Sequence, residues 1–371
     1  MFEDSGDVIY IDVIVSNIDS TDSPTIGNTL AEYNESRTIP YLYSPSDYYG
    51  AVVQFNIENT STPILYTEIV PNQGNPNLTI YNVALSYGGS TAVQPVIFIC
   101  QNATGITPPP PSAFPNGSQD TDTSYYSVYS YSYFTQLVNT AFANALTALK
   151  VLQPAIPVGT APPIIKFDPT TLLFSVIAEN TLYNQGNANH INVSLNGSLY
   201  YLYYSFSASR VILSNSVYLT LFIDANTGIV DTGANTITVL QERNSTNLWP
   251  QISSLVITSQ SIPVLRSQTF SPALYYSDKL VRSNNNSQTQ AILLEYSVDD
   301  TNYTKNIVYN PTAQYKLFAL NTEVPLYNLD LKFFYRTTTG VLRPIALTSG
   351  ASLSVKLGFF KKSKFTHLKS M

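Results

Sequence analysis

The sequence predicts an all-β protein of two-sheet sandwich geometry that carries one substantial helix. Apolar runs of strand length recur along most of the 371 residues. Turn signals separate them about every 8–12 residues, the spacing of sandwiches and barrels. A single stretch repeats its apolar residues with a helical period. In it Phe134, Leu137, Val138, Ala141, Phe142, Ala145, Leu146 and Leu149 recur at three- and four-residue steps and form one stripe.

That stretch predicts an amphipathic helix near 134–150. Its other face carries Gln136, Asn139, Thr140, Asn144 and Thr147, with no charge before Lys150, where the helix dipole favours a cation. A free surface helix usually bears charged pairs, so this polar face is expected to be covered by a partner. Just upstream, Tyr125, Tyr129, Tyr131 and Tyr133 share one parity with serines between them. This is strand spacing, and it predicts a tyrosine-lined strand running into the helix. These four tyrosines, with Gln136, Asn139 and Asn144, are the candidate assembly contacts. Proline-rich connectors bracket the unit, residues 107–115 before it and 153–169 after it.

Taken in order, the strands expected before the helix are 8–15, 51–57, 63–70, 78–87 and 92–100. The last two flank Gly88-Gly89-Ser90, a hairpin signal. After the helix come 163–167, 172–178 and the aromatic run SLYYLYYSFS over 198–207, read as a strand buried on both faces. Then follow 217–224, 229–231, 236–241, 254–258, 290–297, 315–320, 329–337 and 353–360. Long loops over 18–49, 101–123 and 268–289 are expected outside the sheets, as contact-making segments. The expected organisation is an N-terminal β region over 1–154 with the Tyr-rich strand and helix, a C-terminal β-sandwich region over 155–360, and a basic tail over 361–371. The two β regions either stand apart or form one continuous domain.

Charged residues are only 11% of the chain, against about 25% in an ordinary domain. The 28 Tyr and 17 Phe argue against disorder. Solvation therefore falls to Asn, Ser, Thr and Tyr, and surfaces of that kind are less costly to bury against neighbours. A net charge of −6 excludes nucleic-acid binding by bulk electrostatics. The end of the chain departs from this, with Lys361, Lys362, Lys364 and Lys369. Such a tail suits weak contact with a genome or an acidic partner, or is simply a solvated end. It is expected to be dispensable for self-association. Cys100 ends the apolar run PVIFIC and reads as a buried thiol. The acidic start MFEDSGDVIY lacks the pattern of a secretory signal, and no apolar run approaches the roughly 18 residues of a membrane span.

Catalytic motifs fail in turn. There is no GxGxxG, Walker A, CxxC or HExxH sequence, and the two histidines are His190 and His367, with no GxSxG serine. Asp120 and Asp122 stand close together but lack the glycine and terminal carboxylate of a calcium loop. The stretch Ile229-Val230-Asp231-Thr232-Gly233-Ala234 has the form of an aspartic protease motif. Its downstream partner segment is missing, and a hairpin turn closed by Asp231 and Gly233 is the simpler reading. No catalytic residue, metal or cofactor is expected.

Three stretches resemble the penton or minor capsid proteins of Polinton-like viruses and virophages. They are TIPYLYSPSDYYGAVVQFNI, then SYYSVYSYSYFTQLVNTAFANAL with PPIIKFDPTTLLFSVIAE, and PLYNLDLKFFYRTTTGVLRPIALTSGASLSVKLGFFKK. They cover about half the chain and span it end to end. The resemblance implies a jelly-roll-type β fold with room for an insertion or second β domain. It also implies a place in a virion, oligomerisation about a capsid symmetry axis with a pentamer foremost, contact with other capsid proteins, and no enzymatic role. Two other readings stand beside it. A host-attachment or glycan-binding virion protein would line one exposed groove with its tyrosines. An aspartic protease would place Asp231 against its twin in a dimer.

Overall fold

The structure is a computed structural model that describes residues 7–17, 29–58, 62–67, 80–100, 124–249, 252–265, 273–275, 288–298, 306–311, 314–338, 342–347 and 350–364. Most of the β-branched and aromatic runs are strands, as their alternation requires. They fall into two units whose boundaries differ from the expected division at 154. One unit joins Met1–Thr62 to Gln251–Met371, with Ala103–Gly105. The other comprises Pro63–Asn102 and Ile106–Pro250. The second unit is thus an insertion in the sequence of the first.

In the unit that holds both ends of the chain, the strand Val8–Ser16 pairs antiparallel with Ser352–Lys361 over its whole length. That strand pairs in turn with Tyr48–Ile57, and Ile307–Tyr309 and Phe318–Ala319 add to the far side. The companion sheet runs Ile252–Ser259, Gln288–Ser297, Ala273–Tyr275, Leu342–Pro344, Asn328–Thr337 and Glu32–Ser36. The two sheets share a core in which the rings of Phe55 and Phe333 stack at 6.0 Å. Val256, Ile292, Phe334 and Leu342 form a further buried cluster. Gly50 is fixed by packing, since a Cβ there would enter the Phe318 ring.

The inserted unit has a five-stranded sheet in the order Ala208–Leu213, Ser216–Leu221, Asn192–Asn196, Asn82–Tyr87 and Ser90–Pro95. A four-stranded sheet runs Gly228–Asp231, Thr236–Leu240, Leu173–Glu179 and Ile164–Asp168. The long helix, Tyr131–Leu152, packs against Asn82–Tyr87 and Ser90–Pro95 of the first sheet and Ile164–Asp168 of the second. Its expected stripe is its buried face, from Phe134 to Leu149. Ser130 caps its start by accepting from the Tyr133 amide at 3.3 Å, and Pro154 follows its last turn. The hairpin at Gly88-Gly89 has positive φ at both glycines, 56° and 82°, which a two-residue turn of this twist demands.

Three local expectations fail. Residues 198–207 do not form a strand: Gly197–Leu202 is a short helix, with Asn196 accepting from the Leu199 amide at 3.1 Å. Leu199, Leu202 and Tyr203 are buried at three- and four-residue steps, a helical period hidden in an aromatic run. The tyrosine-lined strand is also absent. Ser124–Tyr126 is a 3-10 turn, Ser127–Val128 a two-residue strand, and Tyr131 and Tyr133 already lie on the first helical turn. The loop expected over 101–123 lies outside the described residues, as do Asp120, Asp122, His367 and Lys369. Within the loops expected outside the sheets over 18–49 and 268–289, Thr29–Leu30, Glu32–Ser36 and Ala273–Tyr275 are strands. They pair through backbone with Ala346–Leu347, Asn328–Thr337 and Gln288–Ser297 and so need no apolar alternation of their own.

Candidate functional site

Low charge and a polar helix face single out the long helix as the element to examine for contacts. Its buried side is organised around Trp249, the one tryptophan of the chain, which is fully buried. Phe174 stacks on it at 5.5 Å, and Tyr131, Phe134 and Tyr203 meet it edge-on at 5.1, 5.4 and 5.6 Å. The indole N–H donates to the Leu202 carbonyl at 2.7 Å, so the polar end of the ring is satisfied. Beside it Gln241 accepts from the Phe174 amide and donates to the Tyr204 carbonyl and to Ser245. Desolvation raises the Tyr131 hydroxyl to about 12 and pushes that of Tyr203 up as well. Both remain neutral hydrogen-bonding groups.

Most of the tyrosines expected to make contacts are used inside the unit. Tyr125 is buried and meets Tyr126 edge-on at 4.9 Å. Tyr129 is half-buried. Tyr131 belongs to the Trp249 cluster, and Tyr133 donates to the Ile99 carbonyl at 2.8 Å. Asn139 is likewise internal. Its amide donates to the Ile165 carbonyl at 2.8 Å and accepts from the Ile165 N–H at 2.7 Å. It imitates a neighbouring strand and docks Ile164–Asp168 on the helix. Large aromatic groups beside an apolar stripe bury more area by joining the core than by waiting for a partner, which is why parity alone misplaced them.

What remains exposed is a continuous uncharged stripe: Ser132, Gln136, Thr140, Asn144 and Thr147. The Thr140 and Thr147 hydroxyls donate back to the carbonyls of Gln136 and Ala143, each at 3.0 Å, so their hydrogen bonds are made within the helix. The only charge on the helix, Lys150, donates to the Val158 and Thr160 carbonyls at 2.7 and 2.9 Å. The stripe then ends in exposed Val151, Leu152 and Val158, at 78, 55 and 94% exposure. Little water-bound charge has to be stripped from this surface when it is covered.

The basic end is not a loose tail over its described part. The Lys361 amide donates to the Asp7 carbonyl at 3.0 Å. Lys362 donates to the carbonyls of Ser46 and Leu320, and Lys364 pairs with Asp7 at 3.2 Å. These contacts tie the end of the last strand to Asp7, beside the first strand, and to Ser46 and Leu320.

Asp231 closes a hairpin turn. Its carboxylate accepts from the Gly233 and Ala234 amides at 2.9 and 3.1 Å, between the paired strands Gly228–Asp231 and Thr236–Leu240. His190 contacts the Asn187 carbonyl through Nδ1. Cys100 is a buried thiol, pushed up to about 11 by desolvation. Among the described residues no group of three or more His, Cys, Asp or Glu side chains is placed to hold a metal, and no helix is long and apolar enough to cross a membrane. Trp249 and its polar neighbours were not anticipated; the only signal was that the chain's one tryptophan sits just before a proline.

Fold and surface together define an all-β structural protein with an uncharged exposed helix face. The family model of the Sputnik minor capsid protein V18/19 matches residues 9–362, and the chain belongs to that family. It is a structural component of a viral capsid, with the all-β, jelly-roll-like fold of capsid proteins. Protein V18 of Sputnik virophage is 31% identical over 161 residues, which are 42% of this chain and 90% of that protein. A chain in the cryo-EM structure of the Sputnik virophage matches with a TM-score of 0.73 at 24% identity, covering 97% of this chain and 99% of its own. The crystal structure of the mavirus penton protein matches with a TM-score of 0.56 at 14% identity, covering 95 and 99%.

Proposed function

We propose that the chain is a penton-type capsid subunit that forms a homopentamer and packs against other capsid proteins through surfaces poor in charge. The observation that carries this is the exposed helix stripe Ser132, Gln136, Thr140, Asn144 and Thr147, running into Val151, Leu152 and Val158. A stripe with no free charge and with threonine hydroxyls already bonded is inexpensive to desolvate. Its apolar end supplies the area that drives association. The family match and the likeness to a mavirus penton protein support this reading.

The basic end serves first as an internal strap in this account. Contact with a genome or an acidic partner is the secondary reading, and it draws on Lys361, Lys364 and Lys369. The test of the main reading is native mass spectrometry of the full chain and of the double variant Gln136→Glu and Asn144→Glu. Both positions are exposed, so the variant should fold normally, and its oligomer should be lost or weakened at least about tenfold. A variant that assembles like the parent would remove the helix face from the interface.

A further inference from the structure

The five-stranded sheet of the inserted unit has two unlike faces. Val83, Leu85, Val193 and Leu195 are fully buried, and the positions alternating with them are small or polar. Register places Ser209, Thr220 and Ser194 in one cross-strand row. Thr91, Ser86 and Asn192 form the next row, two residues along. Side chains two apart share a face of a sheet, so both rows tile the same surface. Ser194 and Thr220 share a hydrogen bond of 2.8 Å, and Ser86 and Thr91 one of 2.9 Å.

This surface floors an open cavity of about 600 Å³, within the roughly 300–1,000 Å³ of small-ligand sites. Tyr87, beside the Gly88-Gly89 turn, and His190 also line it. The His190 Nδ1 lies 2.9 Å from the Asn187 carbonyl. A carbonyl only accepts, so Nδ1 carries the proton and Nε2 is an acceptor in the neutral ring. The lining holds no carboxylate and no lysine; Arg210 is its one permanently charged residue.

Each hydroxyl pair of the floor uses one of its two hydrogens, and an apolar ligand would leave the second hydrogen and the remaining lone pairs unmatched. A nucleic-acid backbone would call for a row of cations, and a single arginine does not supply one. The ligand that matches is dense in hydroxyls able both to donate and to accept. We propose that this groove binds a short glycan. The assignment differs from a tyrosine-lined groove, because hydroxyl and amide side chains form the floor, while register puts Tyr87 on the opposite face with Val83 and Leu85. It is independent of the assembly reading, which involves the long helix.

The test is saturation-transfer NMR and titration of the full chain with lactose, maltose, N,N′-diacetylchitobiose and 3′-sialyllactose. At least one of them should bind with a Kd on the order of millimolar. Thr91→Val and Thr220→Val should each weaken that binding by about tenfold. Thr91 is on the edge strand Ser90–Pro95, so its variant keeps the proposal testable if loss of the Thr220 hydroxyl disturbs the sheet. Tighter binding of sialyllactose than lactose would place the ligand carboxylate at Arg210; equal binding would assign recognition to the hydroxyl floor alone. Absence of binding by all four sugars, or binding untouched by both variants, would overturn the proposal.

Discussion

Asn139 and Asp330 show how single polar side chains hold β elements in place where charges are few. The two hydrogen bonds between Asn139 and Ile165 satisfy backbone groups of a residue that is almost wholly buried. Asn139→Leu should therefore cost about 1–3 kcal/mol, read by urea denaturation. An unchanged midpoint would mean that water replaces the amide. Asp330 accepts from the Ser259 hydroxyl at 2.8 Å and from the Gln260 and Ser261 amides at 3.0 and 2.6 Å. Burial works against its ionisation, but these bonds outweigh it and hold the carboxyl below the usual carboxylate range. A group depressed in this way contributes stability that is fully present above its unfolded pKa of about 3.9 and is lost as pH falls through the folded value. Asp330→Asn should thus be less stable than the parent at pH 7 by about 1–3 kcal/mol, and the gap should narrow as the pH is lowered through the acid range. A gap independent of pH would show that hydrogen-bond geometry, and not charge, is what Asp330 supplies.

At the scale of elements, the strap at the end of the chain makes a definite prediction. A version ending at Phe360 loses Lys362 from the Ser46 and Leu320 carbonyls and Lys361 from Asp7. It should melt several degrees lower, and Lys364→Ala alone should hardly matter, because that ion pair with Asp7 is well exposed. Equal melting of the truncated and full chains would mean that these contacts add nothing to stability. The elements that were legible in the sequence share one property: their side chains obey a single period. The helix stripe, the Gly88-Gly89 hairpin and the last strand, Ser352–Lys361, are of this kind. Illegible were Glu32–Ser36, whose sequence EYNES has little apolar content, and Gly197–Leu202, where aromatic residues on every side mask a helical period. The exposed helix face was legible in part. Gln136 and Asn144 stand on it, whereas Asn139 lies one step round the helix and reaches Ile165, a contact no local pattern encodes. The pairing of the first strand with the last is equally non-local; nothing in either strand names its partner.

For the whole molecule, the deciding fact is that only 11% of 371 residues are charged. In the proposed oligomer, contacts between subunits fall to apolar, tyrosine and amide groups. Interfaces held by charge weaken as salt shortens the Debye length, from about 10 Å at 0.1 M to about 3 Å at 1 M. Apolar ones do not, and sulfate strengthens them. The family to which the chain belongs sets the expectation of assembly, and the exposed helix stripe sets its chemistry. Sedimentation velocity of the full chain at micromolar concentration, in low and in 1 M sodium chloride, tests this account most directly. The predicted result is a homo-oligomer, five copies in mass, whose population is the same at both salt concentrations and rises with added sulfate. A monomer under all of these conditions, or an oligomer that dissociates as sodium chloride is raised, would contradict it.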